Sequence, residues 1–334
     1  MNKRALAGLV AGLVITRRLI ARLARYDLRG KVVVVTGGAR GLGLVLAREL
    51  IERGAEVAIC SRNVSEVQKA RAELASGGGT VFAAACDVTE RDQLTHFLAQ
   101  VQAALGPVDV LINNAGVIQV GPLELMSPED YDAAMRIHFW APLYATFAVL
   151  PQMRRRHAGR IVNITSIGAK VPIPHLLPYS ASKFADYGFS TGLRAELARD
   201  GVKVTTVCPG LMRTGSPRHA QVKGRQEAEY AWFKLSDSLP GLSMSAERAA
   251  KQIIDACERG DAEVVLSLPA RLLARLYAFG PSLMQDLLGV VNRLLPSPEG
   301  GSDQSVEGKD AQSRRMPRIF TRLTDAASLR NNEV

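Results

Sequence analysis

Lys31-Val32-Val33-Val34-Val35-Thr36-Gly37-Gly38-Ala39-Arg40-Gly41-Leu42-Gly43 decides the fold. A run of four valines fits a strand buried on both faces, the kind found in parallel sheets. The glycines that follow allow a sharp turn, and helical periodicity then runs from Leu42 to Arg53. A strand, a Gly-rich turn and a helix in that order aim free helix N-terminal amides and a positive dipole end at a pyrophosphate.

Downstream the alternation continues. Strand patterns fall at Glu56–Cys60, Thr80–Ala85, Val108–Ile112, Arg160–Ile164, Val202–Val207 and Glu263–Ser267. Helical patterns fall at Val64–Ala75, Arg91–Leu105, about Pro128–Met153, Pro178–Arg199 and Ala246–Glu258. Strands alternating with helices of this length imply right-handed crossovers and an α/β doubly wound parallel sheet of seven strands, a Rossmann fold. Ligands bind such sheets at the carboxyl ends of the strands, so the chemistry is expected in the loops after each strand.

The end of the second strand reads the adenosine ribose. An NAD site places a carboxylate there; this chain has Cys60-Ser61-Arg62-Asn63, with no acid. Arg62, and Arg40 within the Gly-rich turn, would pair with a 2′-phosphate. The expected cofactor is therefore NADP(H) in preference to NAD(H).

Ser166 follows the fifth strand, and Tyr179 and Lys183 stand at i, i+4 on the next helix, on one face. A tyrosine acts as general acid on a carbonyl oxygen when a neighbouring ammonium draws its pKa down from about 10. Ser166 can hold the same oxygen. An isolated YxxxK reads as an exposed helix pair; its place after strand five of a dinucleotide fold reverses that.

These motifs together resemble the short-chain dehydrogenase/reductase family, in the TGxxxGxG/YxxxK subgroup. The likeness covers roughly residues 28–268 and rests on Thr36–Gly43, Cys86-Asp87-Val88, Asn113-Asn114-Ala115-Gly116, Ser166, Tyr179–Lys183 and Pro209-Gly210 with Thr214. The resemblance implies a catalytic set of Ser166, Tyr179 and Lys183, with Lys183 also on the nicotinamide ribose. It implies cofactor contacts from Thr36, Gly37, Arg40, Gly41, Leu42, Gly43, Ser61, Arg62, Asp87, Val88, Asn114, Ala115 and Gly116, and from Pro209, Gly210 and Thr214 around the carboxamide. His138 stands where the family usually has the asparagine of a water relay to the lysine. It is expected to keep the relay with an altered pH dependence; a lost relay or a purely structural histidine are the alternatives.

A composition of 47% hydrophobic and 22% charged residues is globular and excludes collagen, coiled coil and wholesale disorder. Cys60, Cys86, Cys208 and Cys257 lie far apart, with no CxxC or Cys/His ligand spacing, so no metal site is expected and a reducing, cytoplasmic compartment is. Residues 1–31 hold eight basic side chains against Asp27 alone, most of the net +10. The rest is nearly balanced, which argues against a nucleic-acid partner.

The ends set four regions: a basic amphipathic helix within 1–27, the catalytic domain 28–268, amphipathic helices in 269–295 broken at Gly280-Pro281, and a largely disordered tail, 296–334. The eleven apolar residues Ala5–Ile15 fall short of the ~20 that span a bilayer. Peripheral membrane contact through 1–26 and 270–295 is the reading of these ends, with packing on the protein's own surface as the alternative. Within the tail, Met316, Ile319, Phe320 and Leu323 fall at helical spacing among arginines, a short helix that docks or stays partly ordered.

A substrate lid is expected at 211–245, with Tyr230, Trp232, Phe233 and Leu235 either over an apolar substrate or packing the lid onto the body, and Arg213, Arg218, Lys223 and Arg225 on a solvated face in preference to meeting an anionic substrate. Reduction of a lipophilic ketone or aldehyde, or oxidation of the matching alcohol, is the function expected. The rival is a non-catalytic NADP-binding scaffold or redox sensor on the same fold. An epimerase or dehydratase of the related extended fold fits poorly, because the glycine spacing differs. A homo-oligomer is a further expectation from the resemblance.

Overall fold

β1 (Val32–Thr36) is buried along its whole length, as a strand covered on both faces must be. The chain then runs α1 (Gly41–Glu52), β2 (Glu56–Ser61), α2 (Val64–Ser76), β3 (Val81–Ala85), α3 (Arg91–Leu105), β4 (Val110–Asn113), β5 (Gln119–Val120), α4 (Pro128–Met135), α5 (Ala141–Arg156), β6 (Gly159–Ile164), α6 (Leu177–Glu196), β7 (Val202–Cys208), β8 (Met212–Arg213), β9 (Gln221–Gly224), α7 (Gln226–Ser238), β10 (Met244–Ser245), α8 (Ala246–Arg259), β11 (Glu263–Val265), α9 (Leu268–Phe279), α10 (Pro281–Leu294), β12 (Ser302–Glu307) and α11 (Arg318–Arg330). This computed structural model describes residues 25–239, 241–311 and 318–334, together with Gly12. The basic helix expected within 1–27 lies outside the described residues for nearly all its length.

The main sheet has seven strands in the order β11-β7-β6-β4-β1-β2-β3, all paired in parallel. It is the doubly wound sheet expected from the sequence. The order reverses between β1 and β4, which opens the crevice above their carboxyl ends. Alternate residues of β1 feed opposite cores. Val33 and Val35 pack with α1, α2 and α8, while Val32 and Val34 pack on the side of α3 and α5.

Each flanking helix follows from its spacing. In α8 the buried residues Ala246, Ala249, Ala250, Ile253, Ile254 and Cys257 recur at i, i+3, i+4, i+7, i+8 and i+11, one face of a 3.6-residue repeat. The Ser245 side chain caps its first turn on the Arg248 amide, and Gly260, at φ 66°, ends it in the left-handed conformation. The helix expected over Pro128–Met153 is interrupted. A π-helical turn, Arg136–Trp140, separates α4 from α5 and contains His138. Such turns insert one extra residue and re-aim a side chain.

The tail is a correction. Residues 302–307 are not disordered: β12 pairs antiparallel with β9, which also pairs with β5. Composition misled because the β12 ladder bonds come from a strand some eighty residues upstream, and backbone pairing needs little apolar surface. α11 likewise packs on α7, through a Lys234–Asp325 ion pair of 2.8 Å and a Ser238–Thr324 hydroxyl contact of 2.8 Å. Gly280-Pro281 separates α9 from α10, as the sequence requires. Among the described residues no helix is long and apolar enough to cross a membrane.

Candidate active site

The Gly-rich turn and the β4 loop are held together by Thr36. Its hydroxyl accepts the amides of Asn114 (3.0 Å) and Ala115 (3.1 Å). Asn114 Nδ2 in turn donates to the carbonyls of Thr36 and Gly37. Thr36 is buried and fastens the two loops.

Gly37, Arg40, Gly41, Leu42, Gly43, Ser61, Arg62, Asp87, Val88, Asn114, Ala115 and Gly116 line one cavity of about 170 Å³. Every other sequence-derived adenosine-side residue is thus brought together. A side chain at Gly43 would collide with the Gly37 carbonyl, and Gly37 itself has φ +64°, so only glycine permits the close turn. No side chain caps the start of α1, so its positive end faces this cavity as it would an anion. These residues fit a dinucleotide pyrophosphate. Arg62 is exposed, 4.0 Å from Asp87. Arg40 is already engaged, by Glu66 at 3.3 Å and by His219 Nδ1 at 2.8 Å.

The adjoining cavity, about 390 Å³, is lined by Ser166, Tyr179, Lys183, His138, Pro209, Gly210 and Thr214. α6 presents Tyr179 and Lys183 one turn apart, both enclosed by the fold. Burial pushes the Tyr179 phenol up to about 12, while the Ser166 hydroxyl against it pulls it down. Ser166 is itself oriented by accepting the Gly168 amide at 2.9 Å.

Lys183, one turn along the helix, has partners of its own. The ammonium donates to the Ile164 carbonyl at 2.8 Å and lies 3.5 Å from Asp186. Burial draws the lysine down and Asp186 up to about 6.

His138 is buried and fully hydrogen bonded. Nδ1 lies 2.8 Å from the Ser182 hydroxyl, which donates to the Tyr179 carbonyl at 2.9 Å. Nε2 accepts the Val117 amide at 3.3 Å, so Nδ1 carries the proton. Burial and the nearby Lys183 push its pKa well down. The ring meets Tyr179 edge-on at 5.3 Å.

The lid expectation divides. Trp232 and Phe233 line the catalytic cavity, while Tyr230 packs the lid onto the body in a cluster with Val120, Leu176 and Val222, and Leu235 faces solvent. Lys223 pairs with Asp130 at 2.6 Å and Arg213 donates to the Ser243 carbonyl, so both fasten the lid. Among the polar lining residues that the sequence did not single out are Ser216, His219, Asp237 and Glu333. Asp237 sits one helical turn beyond Phe233, a spacing that points to a shared face. Nothing in the sequence signals Glu333, more than a hundred residues from every other residue lining the same cavity.

The description short chain dehydrogenase matches residues 31–223. The chain belongs to the short-chain dehydrogenase/reductase family. It is an NAD(P)-binding oxidoreductase of the CH–OH/C=O class. It is 34% identical over 255 residues to mouse dehydrogenase/reductase SDR family member 7B, covering 75% of this chain and 77% of that one. Gluconate 5-dehydrogenase of Gluconobacter oxydans is 34% identical over 189 residues, 57% of this chain and 74% of the relative. A gluconate 5-dehydrogenase structure from Burkholderia cenocepacia, in complex with NADP and tartrate, superposes with a TM-score of 0.64 at 27% identity, covering 74% of this chain and 97% of that one.

Proposed function

We propose that this dehydrogenase/reductase uses NADP(H) in preference to NAD(H) and reduces the carbonyl of a largely lipophilic small molecule. The observation that carries the reading is the catalytic cavity itself: Ser166, Tyr179 and Lys183 share it with Ile118, Ile164, Ile173, Leu176, Trp232 and Leu273. Apolar walls favour apolar substrate by the area they remove from water. The nicotinamide, when bound, supplies the hydride. Tyr179, protonated and with its hydroxyl beside Ser166, delivers the proton to the carbonyl oxygen while Ser166 holds that oxygen. Lys183 holds the nicotinamide ribose in this reading. Arg62 and Arg40 meet the 2′-phosphate.

Asp237 is the one carboxyl among the described lining residues of this cavity, and burial pushes it up to about 8. As a neutral acid it can donate to a hydroxyl or carbonyl on the substrate's far side. The test is NADPH and NADH titration followed by NADPH consumption with a panel of lipophilic ketones and keto-sugar acids. Tighter NADPH binding, turnover of the lipophilic set and loss of at least a thousandfold in Tyr179→Phe support the reading. NADPH binding without turnover by either form would favour the scaffold.

The same reading includes peripheral contact with an anionic membrane surface. α10 buries none of its residues, and Phe279 and Leu294 are 89% and 81% exposed. Leu272, Leu276, Leu283, Leu287 and Val290 extend that apolar face, flanked by Arg271, Arg275 and Arg293 against Asp286. A basic rim repels its own copy and attracts anionic headgroups, at ~1 kcal/mol per residue. Leu273 of α9 lines the catalytic cavity, so a lipid-dissolved substrate would enter beside this face. Flotation with phosphatidylglycerol vesicles should hold the wild type and lose Leu276→Glu/Leu283→Glu. Equal flotation of both would place the contact elsewhere.

A further inference from the structure

The C-terminal segment closes on the Gly-rich turn. The Gly41 amide, first in α1 and without an acceptor in its own helix, donates to the Asn331 carbonyl at 2.9 Å. Asn332 Nδ2 donates to the Ala39 carbonyl (2.9 Å) and the Glu66 carbonyl (3.2 Å). Arg48 clamps the segment from outside, through Asn331 Oδ1 and the Arg330 carbonyl, both at 2.8 Å.

Glu333 completes the closure. Its carboxylate accepts the Gly215 amide at 2.5 Å. It lies so near α1 that a Cβ built on Gly41 would stand 2.8 Å from Oε1. The side chain is almost fully buried, yet it lines the same cavity as Gly37, Arg40 and Arg62. Burial pushes the carboxyl up to about 7, the cost of keeping an anion in so enclosed a place.

A carboxylate held at the end of α1 resembles the anion this turn is built to bind. The Asn331 carbonyl already occupies the Gly41 amide, and a nucleotide phosphate brought to this turn would meet the Glu333 carboxylate as a second anion at short range. We propose that residues 331–333 are an internal plug of the dinucleotide phosphate site, which the nucleotide must displace in order to bind. The inference rests on the cofactor reading of the proposed function.

The plug has mechanical consequences. α11, which leads into it, is fastened to lid helix α7 by the Lys234–Asp325 and Ser238–Thr324 contacts. Nucleotide entry therefore frees a segment joined to the substrate lid, and nucleotide affinity is lowered by the fraction of molecules that stand closed.

The test compares NADPH affinity, by fluorescence titration, in the full chain, in Glu333→Ala and in a chain lacking residues 331–334. Hydrogen exchange of 318–334 is followed with and without NADPH. The plug predicts at least tenfold tighter NADPH binding in the deletion, a several-fold gain in Glu333→Ala, and faster exchange of the segment in wild type when NADPH is added. Unchanged or weaker binding in both variants, or slower exchange with NADPH, overturns it and makes the segment part of the nucleotide's own wall. Glu333→Ala carries the test alone if the deletion does not fold. Absence of NADPH and NADH binding in all three proteins overturns the cofactor reading and the plug together. It is told apart from failure of the plug alone because the relieved variants fail as well.

Discussion

His138 shows how one side chain is fixed by what surrounds it. The imidazole joins the loop after β4 to α6 through Val117, Ser182 and the backbone of Tyr179. An asparagine can still accept the Val117 amide and donate toward Ser182. His138→Asn should therefore keep reductase activity within about tenfold, ~1.4 kcal/mol in the barrier, with an unshifted pH profile. His138→Leu leaves buried polar partners unsatisfied and should cost about 1–3 kcal/mol of stability, read by urea unfolding. A collapse of activity in the asparagine variant alone would make the histidine chemically required. A second chain of side chains has the same character: Asn113, Asn163, Ser190 and Thr206 hydrogen bond in series across β4, β6, α6 and β7. It ties the catalytic helix to three strands.

At the scale of elements, the lid is held by a buried cluster. Glu229 of α7 accepts from His175 Nδ1 at 2.8 Å and from Trp232 Nε1 at 2.7 Å. His175 sits at φ +61° in the loop before α6, a conformation uncommon for a residue other than glycine and kept here by its partners. Glu229→Ala strands two enclosed donors. It should cost about 1–3 kcal/mol per donor, raise KM more than it lowers kcat, and speed hydrogen exchange in α7. Glu229→Gln keeps an acceptor and should recover most of the loss. An unchanged KM in Glu229→Ala would separate the cluster from substrate capture.

For the whole molecule, three buried carboxyls lean the same way. Asp186, Glu333 and Asp237 are raised to about 6, 7 and 8, burial being the largest cause of each. A carboxyl whose pKa is higher folded than unfolded stabilises the fold fully below its unfolded value of about 4. That contribution declines as pH rises and is spent once pH passes the folded pKa. The melting temperature should therefore fall between pH 5 and 8, and Asp237→Asn should flatten the upper part of the fall. Differential scanning calorimetry in buffers of matched ionic strength checks this; a melting temperature rising over the same interval contradicts it.

The sequence by itself determined the sheet, the Gly-rich turn and the Ser166, Tyr179 and Lys183 set. Each is written in local spacing: valine runs buried on both faces, glycines that no side chain could replace, and a helical i, i+4 pair. The tertiary structure alone decided what those groups experience. It tied Lys183 to Ile164 and Asp186 and enclosed the Tyr179 phenol beside Ser166, folded the tail back as a strand on β9, and set Glu333 against Gly41. Burial and Coulomb interactions depend on distance in space, and residues 292 positions apart in the chain carry no mark in either neighbourhood that they will meet.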